Sequence, residues 1–112
     1  MHRQVVKWVQ GNVSELHWVG APQTGTLGFF HDRTINLDGK VNPYALRAIL
    51  EKGNVLEYVR NSEIDYIADW YGMADWVKMK SDPQFAKEFE VVVRDEQANL
   101  GVLRRVHPVT QP

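Results

Sequence analysis

Cysteine is absent from the 112-residue chain, which excludes structural disulfides, thiolate zinc sites and thiol catalysis. Neither sign of charge is in excess: 13 Lys plus Arg stand against 14 Asp plus Glu, a net charge of -1. Nucleic-acid binding normally shows as a basic stripe, and the basic residues here are scattered, so no nucleic-acid partner is expected. No apolar run approaches the roughly eighteen residues that a membrane helix needs, and the N-terminus lacks a hydrophobic signal core. The chain therefore reads as soluble, with no membrane span of its own. His2, His17, His31 and His107 form no H-x-x-x-H or H-E-x-x-H grouping, so neither a metal site nor any other cofactor is expected. Ser14, Ser62 and Ser81 lack the context of a nucleophile elbow.

What is present supports one small core. Hydrophobic residues make up 44% of the chain and aromatics 11%, enough for a single domain over residues 1–112 and hardly for a second. Val5, Val6, Trp8 and Val9 give a helical stripe from about His2 to Gln10, with Gly11 placed to stop it. Leu16 to Val19 reads as a strand entering a Gly20-Ala21-Pro22 turn. One or two helical turns carrying Leu27, Phe29 and Phe30 are expected from Pro22, and a second strand from Arg33 to Leu37. Asp38-Gly39 closes that strand.

Asn42 before Pro43 is a helix start. The helix is expected to run to about Glu51, with Tyr44, Leu46, Ile49 and Leu50 on one broad face and Gly53 as its stop. Asn54 caps a shorter helix bearing Val55, Leu56, Tyr58 and Val59, which leads into a strand from Ile64 to Ala68. Phe89 to Val93 and Leu100 to Val106 flank the polar stretch Asp95 to Asn99 and read as an antiparallel hairpin at one edge. The fold class is α/β: a small sheet with a parallel βαβ-type core of about three strands, flanking helices and a C-terminal antiparallel hairpin, in two or three layers.

Ligands of open α/β sheets sit beyond the carboxyl ends of the strands. Gln23, Thr24 and Gly25 lie between a strand and a helix, where free N–H groups suit a phosphate or carboxylate, although the spacing is not a dinucleotide fingerprint. Gly25, Asn36, Asp38 and Asp69 would converge on the same edge of the sheet, and Asn42 and Trp70 join them as candidate ligand-binding residues. Asx-turn bonding accounts for Asn36 and Asp38 without any ligand, and capping does the same for Asp69 and Asn42.

Asp65 and Asp69 are four apart, and on a strand they share a face about 13 Å apart, too wide for a glycosidase pair. No catalytic residue is therefore assigned. Trp70, Tyr71, Met73 and Trp76 form the densest aromatic cluster; Trp76 is expected in the core and Trp70 at the surface.

The run from Gly20 to Asn42, GAPQTGTLGFFHDRTINLDGKVN, continued by Tyr58-Val59-Arg60 and by Ile64 to Asp69, resembles the extracytoplasmic soluble domain of polytopic membrane glycosyltransferases. These use a lipid-linked sugar donor, in the manner of mannosyltransferases. The likeness covers roughly half of the chain by order and spacing. It implies an accessory domain on the periplasmic or cell-surface side, whose partners are a glycan or lipid-linked sugar and a transmembrane glycosyltransferase portion expected upstream of Met1. In such enzymes the acidic catalytic residues belong to the membrane body, so the resemblance implies a non-catalytic module that positions substrate or braces that body. The alternative is an independent small enzyme, or a nucleotide-sugar or anion-binding domain, using the edge near Gly25 and Asp38.

Overall fold

The computed structural model describes residues 3–21, 31–37, 43–52, 55–78 and 82–109. Helix α1 (Arg3–Asn12) is followed by strands β1 (Trp18–Ala21) and β2 (Thr34–Asn36). Helices α2 (Pro43–Lys52) and α3 (Leu56–Arg60) then lead to β3 (Ile64–Asp69). A 3₁₀ helix (Tyr71–Lys78) and α4 (Pro83–Glu88) precede the hairpin β4 (Phe89–Asp95) and β5 (Leu100–Arg105). The five strands lie in the order β2-β1-β3-β5-β4. β1 pairs in parallel with β2 and with β3, and β5 joins antiparallel to β3 and carries β4 at its outer edge. The parallel core, flanking helices and terminal hairpin agree with the sequence pattern.

Both faces of the sheet are covered, giving three layers. On one face α1 places Val5, Val6 and Val9 against Val19, Ala21, Ala68, Leu100 and Val102. On the other, Leu56 and Val59 of α3, Met73 of the 3₁₀ helix and Phe85 of α4 pack on Ile64, Ile67, Phe89 and Leu103. Phe85 and Phe89 stack with centroids 4.7 Å apart, and Trp76 leans on Phe85 at 6.3 Å. Trp76 is thus core-packed, as its spacing implies.

Several boundaries differ from the sequence reading. Gly11 does not end α1, which continues to Asn12; the N–H of Val13 still reaches the Val9 carbonyl at 2.9 Å, and burial of Val9 and Val13 holds the extra turn. Gly20 and Ala21 belong to β1 rather than to a turn. Gly20 is needed for close approach: a Cβ there would stand 2.9 Å from Ile64 Cδ1 and 3.0 Å from Leu37 Cδ1. The short helix α4 begins where Asp82 accepts the Phe85 N–H at 3.0 Å and Pro83 opens the first turn, a signal present in the sequence and not used.

On α2 the face toward the core is made by small side chains. Ala45 is fully buried and Ala48 packs against the core, whereas the aliphatic residues read together on one broad face point outward, with Leu46 43%, Ile49 39% and Leu50 75% exposed. Tyr44 is also exposed. The helix meets the core cluster through its small side chains, and its large ones are turned to the surface. The turns read at Pro22, Asp38-Gly39 and Gly53, the cap at Asn54 and the helical turns carrying Leu27, Phe29 and Phe30 lie outside the described residues.

Candidate functional site at the carboxyl ends of the parallel strands

The two ends of the parallel strands are built differently. At the amino ends, the buried His17 ring donates from Nδ1 to Asp65 Oδ2 at 2.8 Å, and His31 Nε2 donates to the His17 carbonyl at 2.8 Å. Only the protonated ring nitrogen can serve a carbonyl or carboxylate acceptor, which fixes one tautomeric N–H on each ring. Asp65 also accepts the Val109 N–H at 2.7 Å. Its placement follows from an extra residue in β3. Trp18 pairs with Ile64 and Val19 with Tyr66, leaving Asp65 as the inserted position. This bulge breaks the alternation that would have set Asp65 and Asp69 on one face, and Ile64 and Ile67, three apart, enter the same core cluster.

Arg105 completes this end. It is 4% exposed and donates to the carbonyls of Ile64 (2.9 Å), Val59 (3.0 Å), Arg60 (3.3 Å) and Ser62 (3.3 Å). Its guanidinium lies 4.6 Å from the Phe89 ring centroid, and 3.8 and 3.9 Å from Asp65 and Glu88. Burial pushes its pKa below the ordinary arginine value, while the two carboxylates push it back up. The guanidinium closes the carbonyl ends of α3 and the turn into β3, a task for five fixed donors that a lysine cannot match. His17, His31, Asp65 and Arg105 were not joined in the sequence reading, because their separations of 14 to 48 residues carry no spacing signal. Among the described residues, no group of three or more His, Cys, Asp or Glu is arranged to hold a metal.

At the carboxyl ends, the connection from β1 leads to β2 on one side and the connection from β3 to the hairpin on the other. A crevice is expected where connections diverge, here between the ends of β1 and β3. Asn36 ends β2 opposite Ala21 of β1, and Ile67 pairs with Gly20, so Asp69 stands two residues further along β3. Asn36 and Asp69 therefore flank the end of β1 from its two neighbours. Gln23, Thr24, Gly25, Asp38 and Asn42 lie outside the described residues.

Asp69 is 1% exposed, and its Oδ1 accepts the Trp70 N–H at 2.7 Å. That is a bond to the adjacent residue rather than to the second or third N–H of a helix, so Asp69 fixes the backbone of Trp70 without a standard cap. The Trp70 carbonyl accepts from Met73 at 3.0 Å, and the Tyr71 N–H donates to Asn99 Oδ1 at 3.3 Å. The indole lies over Gly72, where any Cβ would run into the ring, and meets Tyr71 edge-on at 6.4 Å. Trp70 remains 39% exposed. The result is a large aromatic side chain, lying over Gly72 and anchored through its backbone, at the carboxyl end of β3 where the Trp70 and Tyr71 carbonyls pass against Gly101 of β5. Sequence reasoning placed Trp70 at the surface and at this edge; the seat provided by Gly72 was missed.

A groove of about 300 Å³ lies elsewhere, between α2 and α3, and is lined by Tyr44, Arg47, Glu51, Tyr58 and Asn61. Among the described residues no helix is long and apolar enough to cross a membrane. Comparison with curated proteins and with solved structures found no match. The chain belongs to the family described as Domain of unknown function (DUF8728), whose family model matches residues 1–107.

Proposed function

We propose that this domain is a non-catalytic glycan-positioning module, with Trp70 as the platform on which a sugar ring stacks at the carboxyl edge of the parallel strands. One observation carries the reading: an indole that stays 39% exposed lies over Gly72 at the carboxyl end of β3, and the backbone N–H of the same residue is held by Asp69. A tryptophan kept partly wet at a fixed orientation offers a flat apolar face with little entropy left to lose on contact. The C–H faces of a hexose suit such a surface. The buried carboxylate of Asp69 acts through Trp70 as a positioning group and does not touch ligand.

The finer assignment, an accessory domain of a membrane glycosyltransferase on the extracytoplasmic side, rests on the sequence likeness alone. In that setting the edge would hold a glycan or lipid-linked sugar for chemistry performed by the membrane body. The test is titration of the chain with mannose oligosaccharides, and separately with a nucleotide sugar, while following intrinsic fluorescence in the wild type and in Trp70→Ala. The proposal expects a saturable change with oligosaccharide that Trp70→Ala abolishes. A response confined to the nucleotide sugar would favour the nucleotide-sugar reading instead.

A further inference from the structure

The outer surface of α2 has a pattern that the glycan edge does not use. Ala45 and Ala48 hold the helix to the core, while Ile49, Leu46 and Leu50 succeed one another around its circumference and stay exposed. Three exposed aliphatics contiguous on a 10-residue helix make a patch rather than scattered surface residues. Arg47 and Glu51 adjoin this stripe one turn apart, and among the described residues neither forms an ion pair. Within one helix, an Arg four residues before a Glu is the weaker orientation of such a pair.

Those charges are self-complementary in one arrangement. When two copies of α2 approach antiparallel about a two-fold axis, Arg47 of each copy meets Glu51 of the other, and Leu46 of each faces Leu50 of the other. A parallel approach would set Arg47 against Arg47. The geometry points to α2 as the isologous contact of a homodimer of this chain, closed by two reciprocal Arg47–Glu51 pairs around an aliphatic centre. A single helix pair is at the small end of stable interfaces, so the dimer is reversible and depends on concentration.

Sedimentation velocity on the full chain from about 1 μM to about 1 mM tests this across the range expected of a small interface. A monomer–dimer equilibrium is the expected result. Leu50→Glu, a change at a 75% exposed position, should leave the thermal melt unaltered and weaken the dimer by about tenfold or more. Arg47→Glu and Glu51→Arg should each weaken self-association, and mixing these two variants, or combining both changes in one chain, should restore it. A chain that stays monomeric throughout overturns the proposal and leaves the face to a different protein. A dimer indifferent to Leu50→Glu, or charge variants that fail to rescue one another, overturns it equally.

Discussion

The amino and carboxyl ends of the same three parallel strands carry similar residue types to opposite purposes. At the amino ends, His17, His31, Asp65 and Arg105 are all buried, and their hydrogen bonds go to one another and to backbone carbonyls or N–H groups. At the carboxyl ends, one oxygen of the buried acid Asp69 accepts from the backbone of its neighbour, and the neighbour's indole stays 39% exposed. Polar burial in the first case closes the structure. In the second it fixes an exposed group, which is the arrangement expected of a contact surface.

This contrast can be broken most severely at Arg105. Arg105→Ala strands four carbonyls and leaves Asp65 and Glu88 without their buried cation, so a loss of about 3–5 kcal/mol is expected, seen as a collapse of the urea midpoint. A smaller loss of about 1–3 kcal/mol is expected for Asp65→Asn, which keeps an acceptor for the Val109 N–H but presents the wrong group to His17. A double-mutant cycle with His17→Phe should show the two positions to be coupled.

At the other end the effects on stability should shrink while those on the surface grow. Gly72→Ala drives a methyl into the indole, with an expected cost of about 1–3 kcal/mol and a shifted Trp70 emission. Trp70→Ala removes a side chain that is 39% exposed, so the protein should still fold, with about 2 kcal/mol lost, less than for a fully buried tryptophan. Iodide quenching of single-tryptophan variants sharpens the same contrast: position 70 should quench strongly, and position 76, packed against Phe85, weakly. Equal quenching at the two positions would remove the distinction between platform and core.

Much of the layout was legible in the sequence because it depends on local pattern. The alternation of strands with helical stretches gave the parallel core, and the polar stretch before Asn99, which takes a positive φ of 53°, gave the hairpin. Trp70 and Trp76 were separable because one follows a strand end directly and the other continues an apolar face. What escaped was long-range or compensated locally. The inserted Asp65 has no sequence signature, since a bulge shows only against its partner strand. The histidine, aspartate and arginine network joins residues far apart in the chain. On α2, the pattern put Leu46, Ile49 and Leu50 on one broad face but did not say which face meets the core, and the helix approaches it through Ala45 and Ala48, where small residues permit the closer contact. The seat of Trp70 on Gly72 depends on the 3₁₀ turn that follows β3, which periodicity does not specify.

The central claim is that the carboxyl edge around Trp70 is where a ligand meets this domain. An amide and indole NMR titration of the wild-type chain with mannose oligosaccharides tests it most directly. The Trp70 indole N–H and the amides of residues 69–72 should move first and saturate together, with the amino-end residues His17, Asp65 and Arg105 unmoved. No movement at any position with saturating oligosaccharide, or shifts centred on the groove between α2 and α3, would contradict it.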